Sequence, residues 1–196
     1  MEHPEIKITL LPGGKMPMRQ SSEAAGYDVS LRAIVSPTEM DKQNPALRKT
    51  LFGFENYANV DPDVARHVQE LDGELVYRMD PGESVLVGIG FLTALPFPMF
   101  YWVAPRSGLA AKWGITVTNA PGTVDADYRG EAGVLVFNRN TTQFDLRRNM
   151  RIAQIIFQWA VIPEMIEVVS ADQLGTTDRS AGGFGSTGLG GSFSKK

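Results

Sequence analysis

Val85-Leu86-Val87-Gly88-Ile89-Gly90-Phe91-Leu92-Thr93-Ala94-Leu95-Pro96-Phe97-Pro98-Met99-Phe100-Tyr101-Trp102-Val103-Ala104-Pro105 runs for 21 residues without a charge. Its length matches a bilayer, but two glycines and three prolines fall inside it, and a spanning helix tolerates those poorly. It reads instead as two buried strands around a proline turn. Short β-prone runs continue on both sides: Tyr27–Ala33, Ser84–Phe91, Phe100–Ala104, Ile115–Thr118, Gly133–Phe137, Ile152–Ile162 and Met165–Val169. Glu5 to Leu11 alternates, with Ile6, Ile8 and Leu10 on one face, as a half-buried strand does. Pro12-Gly13-Gly14, Asp80-Pro81-Gly82 and Asn138-Arg139-Asn140 punctuate the gaps. Many short strands separated by turn signals predict an all-β chain: a sandwich, jelly roll or barrel.

Composition agrees. The 196 residues suit one domain, or one with an insertion, and 43% hydrophobic against 21% charged is the balance of a globular protein. The 20 Gly and 12 Pro favour turns over a helical bundle. Cysteine is absent, which removes disulfides, thiolate nucleophiles and Cys-type zinc sites. The two histidines, His3 and His67, are too far apart in sequence for a His-rich metal motif. A net charge of −3 argues against stable binding to nucleic acid, which needs a basic face. The start of the chain lacks a basic region followed by an apolar one, so a cytoplasmic protein with no membrane association is expected.

Residues 36–79 break the β rhythm. Ser36-Pro37-Thr38-Glu39 has the form of a helix start. A second helix is expected from Asp61 as cap, through Pro62, to Gly73 as terminator, with Val64, Val68 and Leu71 on one face. This stretch is therefore expected as a partly helical insertion in a β domain spanning 1–174. The remainder, 175–196, is an arm in which 14 of 22 residues are Gly, Ser or Thr. Such an end reads either as disorder or as a glycine-rich anion clasp, with Arg179 and the run Gly182–Gly188 supplying donors and Phe184 a stacking face.

Several segments carry polar chemistry. Pro105-Arg106-Ser107-Gly108-Leu109-Ala110 closes a strand with a guanidinium, a hydroxyl and a glycine, and reads as a phosphate cradle or as a turn with a surface Arg. Asn119 through Gly130 holds an amide, the carboxylates Asp125 and Asp127, and Tyr128 in one hairpin-sized segment; these are also ordinary turn residues. Asp28 follows Ala25-Gly26-Tyr27, and Gln154 interrupts an apolar strand, where an inward amide must find a partner.

Taken together, Ala25-Gly26-Tyr27-Asp28, Pro105–Ala110, Gly122–Gly130, Arg151-Ile152-Ala153-Gln154 and Gly182–Gly188 resemble the five ordered motifs of the trimeric dUTP pyrophosphatase (dUTPase) family. The resemblance covers nearly all of the chain apart from 36–79 and the last eight residues. It implies a distorted jelly-roll or β-barrel that hydrolyses dUTP to dUMP and pyrophosphate, limiting uracil in DNA and supplying dUMP for dTMP synthesis. It implies that Asp125 activates the attacking water and that Gln154 contacts the α-phosphate region. Tyr128 would pack under the deoxyribose, while Asn119, Gly122, Thr123, Val124 and Gly133 form the rest of the nucleoside pocket. Arg106, Ser107 and Gly108 would hold phosphates. Arg179, Gly185, Ser186 and Thr187 would close on the γ-phosphate, and Phe184 would stack on the base. Asp28 would meet Mg²⁺ through water, the ion riding mainly on the substrate. The family's homotrimer shares each site between chains, and the arm orders over bound substrate. Region 36–79 is longer than the turn expected there, and serves as a core extension or a protein-contact element. Thr123 stands where a bulkier aliphatic is common, and Ser180 where Gly is common.

Two rivals have specific tests. A dCTP deaminase of the same fold would need a catalytic Glu at Leu135, and leucine cannot shuttle a proton. A nucleotide-sensing protein without turnover would not need every catalytic position intact.

Overall fold

The computed structural model describes residues 4–182. Fourteen strands dominate the described residues. They are β1 Lys7–Leu10, β2 Tyr27–Ser30, β3 Ala33–Met40, β4 Arg48–Phe52, β5 Val68–Leu71, β6 Glu74–Met79 and β7 Ser84–Gly88. After them come β8 Phe91–Ala94, β9 Met99–Pro105, β10 Ile115–Val117, β11 Gly122–Val124, β12 Gly133–Asn138, β13 Phe144–Leu146 and β14 Arg151–Trp159. One α-helix, α1 (Ser107–Trp113), joins β9 to β10. The sheets run β10-β12-β7-β3-β4, β11-β9-β14-β2, β13-β6-β5 and β1-β8, and all pairings between strands are antiparallel. The all-β jelly-roll expectation holds. Among the described residues no helix is long and apolar enough to cross a membrane.

The uncharged stretch makes three strands rather than two. Gly90, at φ +79°, breaks it, because its backbone lies against Gly14 and a Cβ there would fall 2.5 Å from the Gly14 Cα. β7, β8 and β9 supply Val87, Phe91, Tyr101 and Val103 to one core, where Ile34, Phe52, Val134, Val136 and Ile155 meet them fully or almost fully buried. Each such side chain contributes about 1.5–3 kcal/mol. Inside this core's edge, Glu131 is 2% exposed, and both its oxygens accept from Arg32, at 2.8 and 2.7 Å. Oε1 also accepts the Gly90 N–H at 2.8 Å.

Region 36–79 corrects the helical expectation. Ser36 begins no helix: its Oγ accepts the N–H groups of Thr38 and Glu39 at 3.3 and 3.0 Å while the chain stays in β3. The expected helix from Asp61 to Gly73 shrinks to one 3₁₀ turn, Ala65–His67, and a second such turn spans Tyr57–Asn59. Asp61 caps only an Asx turn, accepting from the Asp63 N–H at 3.1 Å. Asp72 and Gly73, at φ +55° and +77°, turn β5 into β6 as a two-residue hairpin. Asp-Gly is the strongest short hairpin signal, and it overrides a three-residue apolar stripe. That stripe is still buried at Val64 and Val68, from a turn and a strand.

Elsewhere, Tyr27–Ala33 divides between β2 and β3, and β14 stops at Trp159. Met165–Val169 forms no strand. By internal contacts the chain divides into two units, Met1–Val161 and Ile162–Lys196. Within the second, Ala171–Leu174 forms a 3₁₀ turn.

Candidate active site

Pro105 ends β9 and has no N–H to continue the ladder. Arg106 is extended (φ −88°, ψ 127°) and caps α1, and Gly114 closes the helix in the left-handed region at φ +64°. The expectation of a strand end is thus extended by a helix of two turns. Its first turn leaves the N–H groups of Ser107 and Gly108 outside helical bonding. A Cβ at Gly108 would meet nothing within 4 Å, so a ligand can approach its backbone.

Beside this turn lie β2 and β14. Gly26, Asp28, Arg106, Ser107, Gly108 and Gln154 line one cleft of about 410 Å³, within the range of small-molecule sites. Asp28 Oδ1 accepts from Arg106 Nε at 3.1 Å, and Oδ2 accepts from Arg151 Nη1 at 3.0 Å. Arg106 Nη1 also donates to the Arg151 carbonyl at 2.9 Å. Gln154 Nε2 donates to the Pro105 carbonyl at 3.0 Å, the partner that its place in an apolar strand demanded. Arg151 stands in a quoted motif but has no role in the sequence reading, and its odd spacing from Gln154 would put the two on opposite faces of a regular strand. A register shift between Arg151 and Ala153 removes that parity and turns Arg151 toward Asp28.

The hairpin residues form a separate group. β11 pairs Gly122 with Val103 and Val124 with Tyr101. Asn119, Thr123 and Asp125 are exposed. Tyr128 donates its N–H to the Asp125 carbonyl at 3.3 Å and its hydroxyl to the Glu131 carbonyl at 3.0 Å. Its ring tip rests on Gly130, where a Cβ would lie 2.6 Å from the hydroxyl and 3.1 Å from the carbonyl of Ala46 in the β3–β4 loop. Region 36–79 therefore touches the end of this hairpin. Gly133 is on β12 opposite Gly88. None of these residues lines the cleft. Leu135 pairs with Leu86 and offers no acid at the deaminase position.

In the second unit, Arg179 Nε donates to the Gly182 carbonyl at 2.8 Å. Ser180 adopts φ +46°, which explains why Gly suits that position. Phe184, Gly185, Ser186 and Thr187 lie outside the described residues.

Asp28 is the one carboxylate lining the cleft. With two of its four lone-pair sites engaged by guanidinium groups, it can still receive a water but cannot hold a cation alone. That fits an ion carried by phosphate oxygens. A second group, His67, Asp80 and Glu83, has ligand atoms within 4.8 Å of one another. Those atoms have partners: Arg66 and the Arg78 carbonyl on His67, Tyr77 and the Asp80 N–H on Glu83, and Gln143 on Asp80.

Comparison with known proteins places the fold. The dUTPase family model matches residues 74–188. Deoxyuridine 5'-triphosphate nucleotidohydrolase of Mycolicibacterium gilvum is 41% identical over 140 residues, covering 66% of this chain and 91% of the relative. A mutant dUTPase of Staphylococcus bacteriophage 80alpha, solved with dUpNHpp, superposes with a TM-score of 0.68 at 16% identity, over 95% of this chain and all of that one. A mutant dUTPase of phage phi11 of S. aureus, described as coordinating a structural Mg(II) ion, gives 0.60 at 14% identity, over 85% and 98%. The fold is shared with both structures, and the chain belongs to the dUTPase family.

Proposed function

We propose that the protein hydrolyses dUTP to dUMP and pyrophosphate. The observation that carries this reading is the cleft, where three distant motifs deliver Asp28, Arg106, Ser107, Gly108 and Gln154 to one wall. Ser107 and the first N–H groups of α1 suit phosphate oxygens, and Arg106 adds charge. Gln154 keeps one amide N–H beyond its bond to Pro105, aimed for the α-phosphate. Asp125 takes a proton from water as the water oxygen bonds to the α-phosphorus. The bond from that phosphorus to the bridging oxygen breaks, and pyrophosphate leaves with the electron pair. Mg²⁺ carried on the triphosphate would supply charge neutralisation, with Asp28 placed to meet it through water. Phosphoryl transfer consists largely of positioning and electrostatic stabilisation, and this residue set suits both.

Specificity follows from the hairpin. Asn119 and the backbone of Gly122, Thr123 and Val124 read the uracil edge, and Tyr128 excludes a 2′-hydroxyl. Gly133 completes the pocket's base. The distance between hairpin and cleft within one chain supports a homotrimer in which one chain's hairpin completes another chain's cleft. The arm from 175, with Arg179, Phe184, Gly185, Ser186 and Thr187, closes over the substrate. The β body 1–174, with 36–79 inserted, carries the site, and the enzyme works in the cytoplasm, limiting uracil in DNA. The test is pyrophosphate release from dUTP, dCTP, dTTP and UTP with and without Mg²⁺. Turnover of dUTP alone is expected, and equal turnover of dCTP would overturn the reading.

A further inference from the structure

Gly26 precedes β2, yet its backbone does not need a glycine, because its φ lies outside the left-handed region. The reason for the missing side chain is on the neighbouring strand. A Cβ built on Gly26 would overlap Gln154 Oε1, and it would stand 3.0 Å from the Gln154 Cδ and 3.4 Å from its Cβ. The other end of the same amide is fixed, since Nε2 donates to the Pro105 carbonyl. That bond also settles which way the amide faces: nitrogen toward Pro105, oxygen over Gly26. The carboxamide thus sits between a carbonyl that orients it and a glycine that gives it room, on a residue that lines the cleft and keeps one further N–H to donate.

We infer that Gly26 is a positioning residue for Gln154, its absent side chain being the seat of the carboxamide. The inference rests on the proposed role of Gln154 at the α-phosphate. The overlap is with the far end of a flexible side chain, so Gly26→Ala displaces the amide and spares the fold. A displacement of about 1 Å in a catalytic group costs on the order of 100-fold in rate.

The experiment is a double-mutant cycle on the full chain, with Gly26→Ala, Gln154→Ala and both, reading kcat, KM for dUTP and thermal midpoint. Gly26→Ala should lower kcat roughly 10–100-fold while KM moves less than about threefold. In the Gln154→Ala background, the same change should cost less than about twofold, since the seat has no occupant. Equal losses in both backgrounds, or wild-type kcat in Gly26→Ala, would overturn the inference. Should Gly26→Ala alone fail to fold, a folded double variant with the activity of Gln154→Ala still supports it. Two unfolded variants would show that the glycine serves the backbone instead. A wild type inert toward dUTP would sink the proposed function first, a result distinct from all of these.

Discussion

Asp28 and Asp125 stand at opposite edges of one sheet. Asp28 is on β2 and Asp125 directly follows β11, the two outer strands of the order β11-β9-β14-β2. Three strand spacings separate them, roughly 14 Å across the sheet. Pairing also places Asp28 level with Ala104, through Gln154, and Asp125 beyond the Val124–Tyr101 pair. That adds about 13 Å along the strands. On the proposed role, a base so far from the phosphate cleft serves another chain's cleft. Two strongly impaired variants, Asp125→Asn and Gln154→Ala, should therefore recover activity when refolded together, to about a quarter of wild type if chains mix freely. A mixture as inert as its components would place the whole site within one chain.

Replacing Asp125 by Asn alone keeps the shape of an exposed side chain and removes the proposed base. The drop in kcat should be about 10²–10⁴-fold. Near-normal steady-state turnover would assign the water activation elsewhere.

Tyr128 is held at both ends, by the Asp125 and Glu131 carbonyls. A fixed wall discriminates better than a mobile one. Wild type should prefer dUTP to UTP by more than about tenfold in kcat/KM, or ~1.4 kcal/mol, and Tyr128→Ala should narrow that gap. Competition assays with both nucleotides measure it, and an unchanged ratio in the variant removes Tyr128 from specificity.

Glu131→Ala strips Arg32 of its carboxylate and leaves the Gly90 N–H without an acceptor. Breaking one side of a buried pair costs about 3–5 kcal/mol, and the Arg32 side chain, 14% exposed, places this case toward the lower end. Urea unfolding should register the loss as a lower midpoint at unchanged slope.

Alkaline pH should also weaken the fold. Burial pushes the Tyr101 phenol up to about 12, and burial with the Glu83 carboxylate raises Tyr77 further. An unfolded tyrosine releases its proton near pH 10, so above that value the unfolded state binds fewer protons and stability falls with rising pH. For Tyr101 the loss develops between about pH 10 and 12 and reaches roughly 3 kcal/mol. Tyr101→Phe should flatten that part of the pH–stability curve, and an unaltered curve would contradict the assignment.

The strands and the cleft were legible for different reasons. β7, β9, β12 and β14 announced themselves by apolar runs between turn residues, and Asp28, Ser107 and Gln154 by motif order. Arg151 was hidden by a bulge, which no periodicity encodes. The false helix from Asp61 arose because a cap, a proline and a three-residue stripe satisfy helix rules locally. The decisive competitor was the Asp72-Gly73 turn, which commits both flanking segments to pairing. Asn119 and Asp125 were legible as chemistry, but their distance from the cleft is a property of strand order, which residue patterns do not state.

The buried carboxylate of Glu131 also bears on how this sequence can drift. It occupies the space over Gly88, where a Cβ would fall 2.5 Å from Oε1, while binding Arg32 and the backbone of Gly90. The last of these glycines in turn admits Gly14. A side chain at 88, a neutral residue at 32 or a shorter acid at 131 each fails unless another member changes with it. Across diverging lineages, positions 32, 88 and 131 should therefore covary as one inherited unit, changing together or remaining fixed.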